Sequence, residues 1–176
     1  VAVEGRPGGR LDDRGQDVVV GIRVPERLAW LGGEGGARQA THAPFDRPGV
    51  LVVSLAAGIT TAFLESRLPE GTAVVRVMPN TPALLGAGAN GLYANERVDD
   101  GQKHIAEQLF RATGLCTWIA DEALMDTVTA LSGSGPAYVF LLCEAMQAAA
   151  EKQGLPKDAA QALAVQTFVG AAKMLS

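Results

Sequence analysis

Val50-Leu51-Val52-Val53-Ser54-Leu55-Ala56-Ala57-Gly58 is the stretch whose reading decides the fold class. A run so nearly continuous in apolar character has no polar side to give to water. It reads as a strand buried on both faces, as in a parallel sheet. Three small residues end it, at the carboxyl edge where open α/β sheets place their ligands. Thr60 or Thr61 then caps a helix through Leu68, stopped by Pro69 and Gly71. Ala73 to Met78 is a second apolar strand and runs into Pro79-Asn80-Thr81-Pro82-Ala83. Two prolines stiffen that loop, and Asn80 and Thr81 offer hydrogen bonds, either to a ligand or to the turn itself. Asp99 or Asp100 caps a helix with Ile105, Leu109 and Phe110 on one face, closed by Gly114. Leu115 to Ile119 is a short last strand. Strand and helix in alternation predict a parallel sheet with helices over it.

The first 50 residues differ, holding 10 of the 21 glycines and seven arginines but no lysine. Val1 to Val3 reads as a short strand followed by Glu4-Gly5-Arg6-Pro7-Gly8-Gly9. That turn resembles a dinucleotide-binding one in order but lacks the GxGxxG spacing. Residues 10–16 are also too few for a crossover helix, so a surface loop is the competing reading. Asp17 to Arg23 is a buried, parallel-type strand. Arg23 at its end favours the 2′-phosphate of NADPH if this strand meets the ribose; otherwise it is a solvated surface arginine. Pro25 to Leu31 reads as a short helix, and residues 32–48 have no usable periodicity.

After Ala120 the strands stop, which sets a domain boundary between 1–120 and 121–176. Asp121 caps a short helix carrying Leu124, Met125 and Val128. Then comes Leu131-Ser132-Gly133-Ser134-Gly135-Pro136-Ala137-Tyr138. Ser132, Gly133, Ser134 and Gly135 form either a helix mouth able to hold a phosphate or carboxylate, or a tight turn whose serines cap the helix. Pro136 to Gln153 is a helix ended by Gly154, and Leu155-Pro156 starts another that reaches the last residue. Both are apolar and alanine-rich around most of their circumference, so they must be covered. A second copy of the chain is the expected cover, with packing on the α/β half as the alternative.

Composition narrows the function classes. At 176 residues, 48% hydrophobic and 19% charged, the chain suits one core or two small domains. A net charge of −4 gives no reason to expect nucleic acid. Cys116, Cys143, His42 and His104 fit neither a metal spacing nor a disulfide framework, so no metal is expected. The absence of a long apolar run and of a basic-then-apolar opening points away from membranes, towards a reducing, cytoplasmic setting.

Taken together, Val53 to Gly58, Val77 to Ala83, Asp126 to Tyr138, Gly154-Leu155-Pro156 and Gly170 to Leu175 resemble the pyrroline-5-carboxylate reductase family. The likeness covers residues 50–176 almost without a break. Val18 to Arg23 looks more like the second strand of ketol-acid reductoisomerase, but no carboxylate cluster for that enzyme's two magnesium ions follows. The resemblance implies a Rossmann-like domain that binds NADPH or NADH, then an all-helical domain that dimerises by intertwining. It implies reduction of the C=N bond of 1-pyrroline-5-carboxylate to L-proline, the last step of proline biosynthesis. Ala56, Ala57, Met78, Asn80 and Thr81 are the cofactor-binding positions expected, together with Arg23. Glu122, Ser132, Gly133, Ser134 and Gly135 are the substrate-binding ones, Glu122 being alternatively a first-turn helix charge. No catalytic residue is assigned.

Two departures from the family pattern accompany these matches. The glycine fingerprint and a second cofactor strand with its lysine-proline pair are missing before Val50. The chain also stops at Ser176, ahead of the family's later helices and their substrate loop. The expectation is therefore an incomplete Rossmann-like parallel sheet and a truncated helical dimerisation domain. Two functional readings compete: the reductase, and an inactive fragment that keeps only helix-mediated self-association.

Overall fold

The computed structural model describes residues 10–11, 17–21 and 50–175, the first two segments as backbone only. They divide into two units, residues 1–133 and residues 134–176. The division falls within the glycine-serine segment.

The first unit is a six-stranded sheet in sequence order: β1 (Arg10–Leu11), β2 (Asp17–Gly21), β3 (Leu51–Ser54), β4 (Ala73–Met78), β5 (Gly88–Ala94) and β6 (Gly114–Trp118). β2, β3 and β4 are mutually parallel, as are β5 and β6. The sheet is mixed rather than wholly parallel, because β5 runs antiparallel to β4 and β1 antiparallel to β2. The connection explains the reversal at β5. Only residues 79–87 separate it from β4, too few for a crossover helix, and they fold as a 3-10 turn (Thr81–Leu85). β5 escaped the sequence reading altogether; Gly88-Ala89-Asn90-Gly91 is a poor strand former and masked it.

Period-2 alternation sorts the sheet's side chains. Leu51, Val53, Val75, Val77 and Leu92 meet Ala106 and Phe110 of α2 (Asp100–Arg111) on one face. Val52 and Val74 meet Leu64 and Leu68 on the other, beside α1 (Thr61–Glu65). Each of these large side chains taken fully from water contributes roughly 1.5–3 kcal/mol. α1 ends earlier than its apolar pattern suggested, because the Ser66 hydroxyl donates to the Phe63 carbonyl at 2.8 Å and the chain tightens into a turn. Asp99 caps α2 reciprocally with Gln102, and Phe110 is buried, whereas Leu109 faces solvent.

Beyond β6, a 3-10 turn (Glu122–Leu124), α3 (Met125–Val128) and a π-helical turn (Thr129–Gly133) return over the face that carries α1. Gly91 permits this: a Cβ there would lie 2.5 Å from Val128 Cγ1, so any other residue would force Val128 to shift.

The second unit is a helical hairpin. α4 (Gly135–Lys152) has Pro136 in its first turn, where no helical hydrogen bond is lost, and α5 spans Lys157–Leu175. Gly154, at φ 96°, makes the bend between them. Ala160 and Ala164 of α5 are buried, while Tyr138, Phe140, Leu141 and Leu142 of α4 are all more than half exposed. Among the described residues no helix is long and apolar enough to cross a membrane. Val1–Val3, the 4–9 turn, the 25–31 helix and Arg23 lie outside the described residues.

Candidate functional site

β3 and β4 end side by side, Ser54 paired with Arg76, and the loops that leave them bound the candidate site. After Ser54 the chain runs through Ala56, half-buried, and Ala57 and Gly58, both exposed. The Ala56 N–H donates to Ser54 Oγ at 3.3 Å, and Thr60 caps α1 by accepting from the Phe63 N–H at 3.2 Å. Gly58 turns the chain at φ 71°. With only methyl groups or hydrogen outside, this backbone is open to close approach by a flat or anionic ligand.

Met78 is buried, and Asn80 follows it with both ends of its amide engaged within the unit. Its Oδ1 accepts from the Ala89 N–H at 2.9 Å, and its Nδ2 donates to the Ser132 carbonyl at 3.0 Å. Asn80 thus pins the π turn to the first residues of β5. Thr81 begins the 3-10 turn and is exposed.

Ser132 and Gly133 are not a loop. They close the π-helical turn, and the Ser132 hydroxyl donates back to the Val128 carbonyl at 3.0 Å. Ser134 is already helical at φ −88°, ψ −18° and makes no side-chain cap. The expected serine caps are therefore absent, and a helical turn occupies the place of the expected tight turn. A hydroxyl bonded back to the i−4 carbonyl is not available to cap the helix that follows, and such bonds often bend a helix. Single π turns inside helices recur at functional sites. A Cβ at Gly133 would rest in ordinary contact with Met78, so the turn packs directly over the end of β4. Ser134 and Gly135 belong to the second unit.

Glu122 occupies the centre of this face. Its Oε1 accepts from the Thr61 N–H at 2.6 Å and from Arg76 Nη1 at 2.6 Å; its Oε2 accepts from the Thr61 hydroxyl at 2.7 Å. The Arg76 side chain is 5% exposed and that of Glu122 20%. Partial burial opposes ionisation of Glu122, but the bonds from Arg76 and Thr61 outweigh it and hold the carboxyl below its ordinary value. Tyr93, paired with Arg76 across β4 and β5, has its phenol pushed up by burial and then by the charge of Glu122.

The structure therefore brings Ala56, Ala57, Met78, Asn80, Thr81, Glu122, Ser132 and Gly133 to one unit, where Asn80 bonds to Ser132 and Gly133 lies against Met78. Sequence reasoning missed Thr61, Arg76 and Tyr93. A signal was available for Arg76, the lone charge in the apolar strand Ala73–Met78, since a buried arginine requires a carboxylate. No group of three or more His, Cys, Asp or Glu able to hold a metal exists among the described residues.

Residues 122–176 match the family model "Pyrroline-5-carboxylate reductase dimerisation". The pyrroline-5-carboxylate reductase of Pseudomonas aeruginosa is 54% identical over 132 residues, 75% of this chain and 48% of that relative. That of Pasteurella multocida is 46% identical over 125 residues, 71% of this chain and 46% of the relative. Along most of its length the chain is similar to pyrroline-5-carboxylate reductases, and residues 122–176 match that family's dimerisation region. It spans about half the length of the curated relatives it matches. Among solved structures of the family, the Coxiella burnetii reductase superimposes with a TM-score of 0.79 at 43% identity. That match covers 89% of this chain and 56% of the other. The Plasmodium falciparum pyrroline carboxylate reductase, solved with NADP bound, gives 0.65 at 35% identity over 71% of this chain and 50% of that one. The incomplete Rossmann-like α/β fold followed by helices agrees with these neighbours.

Proposed function

We propose that this chain carries the dinucleotide-facing and substrate-facing part of an NAD(P)H-dependent pyrroline-5-carboxylate reductase acting in the cytoplasm. The observation that carries the reading is the convergence of the 55–60 loop, the Met78–Thr81 segment and the π turn at one edge of the sheet, with relatives of that name up to 54% identical across it. What the dinucleotide supplies when bound is a hydride for the carbon of the C=N bond, the nitrogen keeping a proton, so that proline results. A protonated imine is already electrophilic, so the protein's share is to hold two partners face to face. Ala56 and Ala57 leave the backbone bare for the dinucleotide, and Met78 and Thr81 flank it. Asn80 fixes the π turn, where Ser132 and Gly133 approach the substrate. Arg23 is assigned to the 2′-phosphate of NADPH, and the helices at 121–176 to self-association.

Loss of NADPH absorbance when pyrroline-5-carboxylate is added to the purified chain tests the reading, with NADPH titrated by calorimetry alongside. Because residues 1–10 lack the GxGxxG spacing, and Gly86 to Gly91, which has it, runs into β5 rather than a helix, binding should be weaker than the micromolar range. Micromolar or tighter binding would make residues 1–10 a working phosphate site. A second reading, self-association without turnover, is favoured by the exposed apolar side chains of α4 and α5. Assembly with neither NADPH binding nor turnover would select it.

A further inference from the structure

All three hydrogen bonds to Glu122 come from far along the chain, two from Thr61 and one from Arg76. A glutamate placed for its charge in the first turn of a helix would face solvent; this one turns inward. Its anchor is rigid, because Arg76 sits within the sheet between Ser54 and Tyr93. What hangs from the anchor is the start of α1, a helix of five residues with little stability of its own. The loop before α1 is held within itself by long bonds, Ala56 N–H to Ser54 Oγ at 3.3 Å and Ile59 N–H to the Ala56 carbonyl at 3.5 Å. Against these, the bonds at Thr61 are 2.6 and 2.7 Å and go to an ionised acceptor, the stronger class.

We propose that Glu122 is a positioning residue for the 55–60 loop. Braced by Arg76, its carboxylate fixes the Thr61 N–H and hydroxyl, and so sets how Ala56 and Ala57 stand over the sheet edge that receives the dinucleotide. The inference rests on the reductase reading above. It gives Glu122 work other than touching substrate, since both carboxylate oxygens are taken by Thr61 and Arg76. A residue that only stabilised the fold would loosen the strands as much as the loop. A positioning residue loosens the loop and weakens the ligand resting on it, while the strands keep their protection.

The test uses the full chain with Glu122→Gln, Thr61→Val and Thr61→Ser. Gln keeps the shape of Glu122 but removes its charge and one acceptor. Amide hydrogen exchange is read for residues 55–65 and for β4, and the NADPH dissociation constant by calorimetry. Glu122→Gln should speed exchange at 55–65 and weaken NADPH by roughly tenfold, the scale of a lost bond to a charged group, with β4 unchanged. Thr61→Val should do the same in smaller measure, and Thr61→Ser, which restores the hydroxyl, should return both readings to those of the unaltered chain. Unchanged exchange at 55–65 overturns the proposal, as does a loosened loop with unchanged NADPH affinity. So does equal loosening of β4, or unfolding of Glu122→Gln while Thr61→Val stays normal. Failure of the unaltered chain to bind NADPH is a different result: it removes the reductase reading and the positioning role together, whereas the preceding outcomes remove positioning alone.

Discussion

All six residues of β4 are buried, and none of the eighteen residues of α4 is, although Val, Leu, Ala and Met dominate both. The difference lies in what each element has beside it. β4 has a strand on either side and apolar side chains from α1 and α2 above and below, so its apolar run is satisfied within one chain. α4 and α5 have each other, and two helices cover only one stripe of one another; Ala160 and Ala164 mark that stripe on α5. The same hydrophobic content is thus a core in the first unit and an unsatisfied surface in the second. What the lesson teaches is that burial demand is read from composition, but its fulfilment depends on a partner the element has to find.

The largest expected effect tests that difference directly. Tyr138, Phe140, Leu141 and Leu142 on α4, with Leu163, Val165 and Val169 on α5, leave much of their apolar surface exposed, as interaction faces do. Burying about 1,000 Å² of it against a twin is worth roughly 25 kcal/mol gross, above an association cost of about 4–15 kcal/mol. The chain should sediment as a dimer or larger species at micromolar concentration. Val165→Lys with Val169→Lys should move it to monomer or unfold it. A single monomer binding little hydrophobic dye would show that these helices need no twin.

Two glycines give a smaller and more local contrast. A Cβ at Gly91 would press on Val128, which seats α3 on the sheet, and Gly91→Ala should cost about 1–3 kcal/mol by thermal or chemical unfolding. A Cβ at Gly135 would meet nothing within 4 Å among the described residues. Gly135→Ala should be neutral, or stabilising by up to about 1 kcal/mol through helix propensity. Should Gly135→Ala instead break self-association, the close neighbour belongs to the second copy.

How far the sequence could be read follows the same division. β3, β4, α2 and β6 were legible because each is a periodic or continuous apolar segment bounded by a cap, a proline or a glycine. β5 was not, since its pairing comes from the reversal at 79–87 and its glycines serve packing rather than propensity. In the candidate site, Ala56, Met78, Asn80 and Glu122 were named from motif resemblance, but the partners that hold Glu122, Thr61 and Arg76, lie 61 and 46 residues away. Long-range pairs leave no periodic trace; only the isolated charge in β4 hints at them.

The smallest effect separates two positions that read alike. Asp99 and Ser134 each precede a helix, and both residue types cap well. Asp99 does so, accepting from the Gln102 N–H at 2.7 Å while Gln102 returns the bond to the Asp99 N–H at 3.1 Å. Ser134 stands in helical conformation with no side-chain cap, because the π turn before it already supplies helical backbone at the point where an extended residue would be needed. Asp99→Ala should therefore cost about 1 kcal/mol, since it strands a donor at the mouth of α2. Ser134→Ala should cost nothing measurable in the same unfolding experiment. Equal losses at the two positions would mean that Ser134 caps α4 in solution, and that the start of the second unit is a turn after all.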